Sequence, residues 1–451
     1  MANTPNYINF EVVVTPEKGK KSVFDKNAFP GVSNLDLYTP PMNKNIEVAQ
    51  KLQRNGIEVH HIGEFSISAA CDKDKFEAFF GTVIKKVKLP SAANVPADYE
   101  MYAPDKSSPW ELPKVDSLDT LITGAYVQHD PILFADERPL PPMWADKFRL
   151  RVPVDIAQLL QASSVHKRGF TGKGVKVAMV DTGFYRHPYF IEQGYNFLAV
   201  TAPDALDHTS DDHGHGTGEC ANVFATAPGV NFVGVKMGNA TLAIKTATEL
   251  KPDIITNSWG YSVDLPNTSM PNWLKPLHLA ILGAVKRGIT VVFSAGNGHY
   301  GFPGSMPEVI SVGGVVVESD LSYSATNYTS GFKSTWFPGR NVPDVSGLCG
   351  TQPSADYIVL PVQKGAVLDK SDGWGAFSGT SAAAPMVAGV CALLKEANPL
   401  LRPEDIKNLL KYTARDITQG MNAHNEEARP GPDLATGFGL VDACRAIESL
   451  T

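Results

Sequence analysis

The run Phe377-Ser378-Gly379-Thr380-Ser381-Ala382-Ala383-Ala384-Pro385 sets a serine among small residues, with a proline suited to a first helical turn close behind it. A serine hydroxyl attacks a carbonyl only if a base takes its proton and donors stabilise the oxyanion that follows, so Ser381 as a nucleophile requires partners. Asp181 ends the apolar run Val175-Lys176-Val177-Ala178-Met179-Val180, which reads as a buried parallel strand turning at Gly183. Catalytic groups of open parallel sheets collect at such strand ends. His215, in Asp212-His213-Gly214-His215-Gly216-Thr217-Gly218-Glu219-Cys220, offers a base where glycines give way to a tightly packed helix. His215 would take the Ser381 proton and later give it to a leaving amine, while Asp181 holds the imidazole tautomer. A second strand, Thr290-Val291-Val292-Phe293, runs into Ser294-Ala295-Gly296-Asn297 and brings the Asn297 amide to the same sheet edge as an oxyanion donor. The backbone N–H of Ser381 would be the other donor.

Each residue also has a plainer reading. Asp181-Thr182-Gly183 could be an ordinary turn or half of a carboxylate dyad, but no second Asp-Thr-Gly occurs. His215 could belong to a solvated cluster with Asp211, Asp212 and His213, or ligate a metal, although no second half of a zinc signature lies at a recognised spacing. Ser381 could cap the helix running through Met386, Val390 and Leu394, a role compatible with catalysis. Asn297 could be a turn asparagine, and Trp259 a core tryptophan.

The order Asp, His, Ser distinguishes among the convergent serine-hydrolase triads. With it, Asp181-Thr182-Gly183, His215-Gly216-Thr217, Ser294-Ala295-Gly296-Asn297 and Gly379-Thr380-Ser381-Ala382-Ala383-Ala384-Pro385 resemble the subtilisin family of serine endopeptidases, peptidase family S8, over roughly Val152 to Leu450. The resemblance implies a three-layer α/β fold with a mostly parallel central sheet. It also implies peptide-bond hydrolysis through an acyl-enzyme on Ser381, a polypeptide substrate, and no cofactor for the chemistry. Structural calcium is common in the family, but no clear loop for it appears. Ser258, Trp259 and Gly260 resemble the segment that pairs with substrate backbone, and Ser294, Ala295 and Gly296 the opposite pocket wall. Trp259 replaces a commoner leucine, which predicts an altered pocket rim. Gly218 stands where the family usually has a second histidine, and Glu219-Cys220 follow where small apolar residues are commoner. A related carboxyl-protease reading would use Glu219 as base and expect aspartate at 297, which conflicts with His215 and Asn297. A catalytically silent binding scaffold would not need the full set.

Stepping outward, the 451 residues, with 43% hydrophobic and 19% charged content, are enough for two or three domains. A net charge of −7 with no basic block gives no reason to expect nucleic-acid or anionic-membrane binding. The N-terminus lacks a signal-peptide pattern, no stretch of about 18 apolar residues occurs, and five cysteines lack paired spacing. A cytoplasmic protein is expected, with non-classical export still open. The sequons at Asn239, Asn267 and Asn327 are read as chance matches. Residues 1–90 read as a small α+β unit: strand Phe10–Val14, helix Ile46–Leu52, strands Ile57–Val59 and Phe65–Ser68, helix Lys75–Phe80 and a closing strand Val83–Val87. This βαββαβ order resembles the ferredoxin-like propeptide domains of subtilisin-like proteases, which implies an intramolecular inhibitor and a zymogen. Residues 91–150, proline-dense and carrying Trp110 and Trp144, read as a connector holding an activation site or threading the cleft. Residues 151–451 form the catalytic domain. Thr351 to Gly375, long and polar around Tyr357–Leu360, is expected to add a hairpin near the cleft.

Overall fold

The structure, a computed structural model, describes residues 7–17, 21–25, 28–88, 100–105, 112, 115, 118, 120–129, 132–133, 148–262, 269–353 and 355–450. Most of the connector, with Trp110 and Trp144, and the Asn267 sequon lie outside the described residues.

The N-terminal unit begins with β1 (Tyr7–Val14), followed by α1 (Met42–Arg54), β2 (Glu58–Ile62), β3 (Ser66–Asp72) and α2 (Lys73–Phe80). Asp72 caps α2 by accepting from the Lys75 N–H at 2.9 Å. Phe10 meets Phe76 and Phe80 edge-on at 5.3 and 5.2 Å, fixing α2 against the sheet. Then come β4 (Ile84–Lys88), β5 (Glu100–Pro104), β6 (Ile122–Val127), β7 (Ile132–Leu133) and β8 (Leu150–Arg151).

The sheet runs β2-β3-β1-β6, antiparallel throughout. The expected closing strand does form as β4, but it pairs with β5, and the edge beside β1 belongs to β6. The N-terminal unit therefore extends past residue 90, through Val127. Burial explains the exchange. β6 sends Ile122, Ala125 and Val127 into the N-terminal core and Tyr126 into a core shared with the rest of the protein, whereas β4 carries exposed Lys85 and Lys86, which could not be placed there.

The larger unit is built on β9 (Lys176–Asp181), β10 (Phe197–Thr201), β11 (Asn231–Lys236), β12 (Ile254–Asn257), β13 (Trp259–Ser262), β14 (Thr290–Ser294), β15 (Gly301–Phe302), β16 (Ile310–Val317) and β17 (Tyr323–Ala325). The main sheet has eight strands in the order β10-β11-β9-β12-β14-β16-β17, with Val345–Leu348 also on β16. All its pairings are parallel except β16 with β17. Side-chain alternation divides the two faces: Val177 and Met179 enter one core, Ala178 and Val180 the other. The first core holds the helices His215–Thr226 and Thr380–Ala397. The second holds the helices Ala240–Glu249 and Lys275–Lys286, and it also receives Val13, Leu35, Tyr38, Phe65 and Tyr126 from the N-terminal unit.

Across that boundary Lys245 Nζ donates to Glu11 Oε2 at 2.9 Å, Ser68 Oγ at 2.9 Å and Ser66 Oγ at 3.0 Å. Glu11 is fully buried and Lys245 9% exposed, so each charge is shed from water only because the other unit supplies its partner.

Candidate active site

Asp181 is the last residue of β9, at the C-terminal edge of the parallel sheet, and its odd position in the alternation aims it at the face carrying the His215 helix. Asp181 Oδ1 accepts from His215 Nδ1 at 2.7 Å and from the Thr182 N–H at 2.8 Å. The approach depends on Gly216: a Cβ there would strike the Gly183 carbonyl and come within 2.9 Å of the Asp181 Cβ.

Asp211 holds the two segments together, a part its sequence position did not reveal. It is fully buried, takes the Thr182 hydroxyl and the Gly214 N–H on Oδ1 at 2.8 and 2.9 Å, and takes the Thr217 N–H and hydroxyl on Oδ2 at 2.8 and 2.7 Å. The solvated cluster weighed as the plainer reading of His215 is therefore not what Asp211 forms. The signal that could have found it is an acid ahead of a glycine-led helix start, followed six residues on by threonine.

Asn297 follows β14. Its Oδ1 accepts from the Thr380 N–H at 3.0 Å and the Thr380 hydroxyl at 3.1 Å, which fixes the amide with its NH2 as the opposite end. Ser381 is the second residue of the adjoining helix, fully buried; its hydroxyl donates to the Ser258 carbonyl at 3.0 Å. His215 Nε2 has no hydrogen-bond partner among the described residues, so no hydrogen bond joins His215 to Ser381. Burial alone would lower the His215 pKa, but Asp181, then Glu219 and Asp211, outweigh it and raise it.

The substrate-segment residues divide. Ser258 Oγ donates to the Ser381 carbonyl at 2.8 Å. Trp259 is fully buried, donates Nε1–H to the Val180 carbonyl at 2.8 Å and meets Phe293 edge-on at 5.2 Å, so its side chain braces the Asp181 strand and forms no pocket rim. Ser294, Ala295 and Gly296 lie buried, with the Gly296 N–H donating to Thr380 Oγ1 at 3.1 Å. The backbone of Trp259 and Gly260 pairs antiparallel with Leu133 and Ile132 of β7.

A hairpin of Ile358–Pro361 with Trp374–Phe377 lies at the His215 helix, as the long polar insertion led us to expect, and its first strand also pairs with β8. Phe377 fills the space over Gly218, where a Cβ would overlap the ring. The histidine usual at this position would not fit beneath that ring. Val367 and Leu368 N–H groups bind the Asp212 and His213 carbonyls at 2.9 and 3.0 Å, fastening the hairpin tip to the approach to His215. No group of three or more His, Cys, Asp or Glu able to hold a metal ion occurs among the described residues.

Residues 172–439 match the subtilase family. The chain belongs to that family, the subtilisin-like serine endopeptidases. It is 30% identical over 278 residues to M-protease of Shouchella clausii (strain KSM-K16), covering 59% of this chain and 65% of that one. It is 29% identical over 278 residues to subtilisin Savinase of Lederbergia lenta, 59% of this chain and 92% of the other. Subtilisin E of Bacillus subtilis (strain 168) is 26% identical over 367 residues, 77% and 82% of the two chains. Among solved structures, fervidolysin from Fervidobacterium pennivorans, a keratinolytic enzyme related to subtilisin, superposes with a TM-score of 0.59 at 17% identity over 99% of this chain and 62% of that one. That likeness establishes the fold. The match spans just under two thirds of M-protease, whereas the subtilase region here contains Asp181, His215 and Ser381.

Proposed function

We propose that this protein is a serine endopeptidase acting through Asp181, His215 and Ser381, with Asn297 as oxyanion donor, and held as a zymogen by its own N-terminal unit. The observation that carries the catalytic reading is the buried Asp181–His215 bond of 2.7 Å at the sheet edge where Ser381 and Asn297 also stand. For reaction, the Ser381 hydroxyl must leave the Ser258 carbonyl and turn to His215 Nε2. The imidazole then takes its proton as Oγ attacks the peptide carbonyl, the oxyanion is met by Asn297, and the proton passes to the leaving amine. Water repeats the cycle on the acyl-enzyme.

The zymogen reading is supported by β7, which adds to β13 in the antiparallel manner of a bound peptide, and by the shared core and Glu11–Lys245 pair beneath it. The proposal includes a reducing compartment, supported by five free cysteines, four of them buried. None of the helices among the described residues is long and apolar enough to cross a membrane.

A fluorophosphonate probe with mapping of the labelled residue tests both parts. Labelling at Ser381 only after limited proteolysis is expected. Absence of labelling before and after proteolysis would leave a binding scaffold, the reading favoured by the occupied β13 and the Ser381–Ser258 bond. N-terminal sequencing of wild type and Ser381→Ala tests self-processing: intact, identical termini count against it.

A further inference from the structure

One buried acid has no part in the mechanism above. Glu219 lies one helical turn after His215, on the same face, and is fully buried. Its Oε2 accepts from Asn222 Nδ2 at 2.9 Å, an i to i+3 bond within the helix that holds the carboxyl in place. Its Oε1 has no hydrogen-bond partner and stands 3.9 Å from His215 Nε2, which has none either. The imidazole thus has a carboxyl group on each side: Asp181 at Nδ1, and Glu219 near the nitrogen that must exchange the reaction's proton.

We infer that Glu219 is a positioning residue for the general base, a buried carboxyl on the Nε2 side of His215 that sets how firmly this nitrogen holds a proton. The inference rests on His215 being the base. An unpaired acid in a dry interior would be destabilising unless something nearby shares its charge, and the His215 imidazole, 3.9 Å away, is a cation-forming group placed to do so. Around the pair, β9 supplies Asp181, the loop before the helix supplies Asp211 and His213, and the helix supplies Cys220. The hairpin supplies the Phe377 ring, and the Ser381 helix supplies apolar side chains. Burial raises the Glu219 pKa and the carboxylates raise that of His215, so the two groups share protons in a coupled titration.

The sign follows. A carboxylate beside Nε2 favours the imidazolium, so His215 becomes a free base only at higher pH, and the acid limb of kcat/KM lies higher than Asp181 alone would place it. Removing the charge as Glu219→Gln, which keeps the Asn222 bond geometry, should move the limb down.

The test is histidine 15N NMR of the full chain, with the His215 signal identified by its loss in His215→Gln, alongside kcat/KM against pH after proteolytic activation. Glu219→Gln should lower the His215 midpoint by about one pH unit and move the acid limb with it. A midpoint unmoved in Glu219→Gln overturns the inference. If that variant does not fold, the wild-type curve decides: two inflections in the His215 signal support the coupling, and a single step overturns it. A shifted midpoint in a protein that stays inactive after activation would defeat the peptidase reading and, with it, the role of Glu219 toward a general base, leaving only the Glu219–His215 proton coupling standing.

Discussion

Ser381 and Ser258 hold each other by reciprocal bonds: the Ser381 hydroxyl donates to the Ser258 carbonyl at 3.0 Å, and the Ser258 hydroxyl to the Ser381 carbonyl at 2.8 Å. Ser381 is thereby tied to the residue just before β13, on which β7 lies. Ser258→Ala removes one of the two bonds and leaves the carbonyl that receives Ser381. It should cost about 1 kcal/mol in urea unfolding, with the probe still labelling Ser381 and no other serine.

On the proposed reading, Asn297→Ala removes the side-chain donor to the oxyanion while leaving Asp181, His215 and Ser381 in place. In the activated protein kcat should fall about a hundred- to a thousand-fold with KM little changed, a magnitude established for the equivalent loss in subtilisin and carried over here through the family. Steady-state kinetics on a peptide substrate would check it; an unchanged kcat would remove Asn297 from the mechanism.

The ion pair between the units gives a test of what holds them together. Lys245→Met leaves Glu11 buried without its cation and should destabilise the protein by about 3–5 kcal/mol, whereas Glu11→Leu with Lys245→Met should recover much of that loss. Urea titrations of both variants measure it. Equal losses in the single and double variants would show that the charges are not coupled.

Asp344 provides the pH dependence of stability. It is buried, and although burial alone would raise its pKa, Lys407, Arg340 and the Ser311 N–H bring it below the usual carboxylate value. A depressed folded-state pKa gives stability that is present above the unfolded value, about 4, and is lost as pH falls through the folded one. Asp344→Asn should therefore cost about 3 kcal/mol at pH 7 and less at pH 3. Urea midpoints at the two pH values give the comparison, and a loss independent of pH would contradict it.

The parts of the site readable in the sequence are those in which chemistry is written into a few consecutive residues. Asp181-Thr182-Gly183, the His215 run and the Ser381 run each contain both the reacting group and the small neighbours that let it approach. The hairpin was legible as an insertion with an apolar centre. What stayed hidden depends on partners far away along the chain. Asp211 matters through Thr182, 29 residues earlier, as well as through nearby Thr217. β6 was hidden among prolines because its partner is β1, at the other end of the N-terminal unit. The bracing role of the Trp259 side chain was hidden in the same way, because its indole finds its acceptor on β9, at the Val180 carbonyl.

β6 ends at Val127 and β7 begins at Ile132, yet the first belongs to the N-terminal sheet and the second to the cleft strand. A cut between β7 and β8 would leave both on the same fragment, still clasped by a sheet edge, a common core and the Glu11–Lys245 pair. On the proposed reading, backbone scission and the onset of activity are then separate events. The interval between them is a first-order waiting time, set by how long the severed fragment survives on the enzyme. The protein would carry a timer whose period can be retuned by substitutions far from Ser381, leaving the chemistry that eventually starts unchanged.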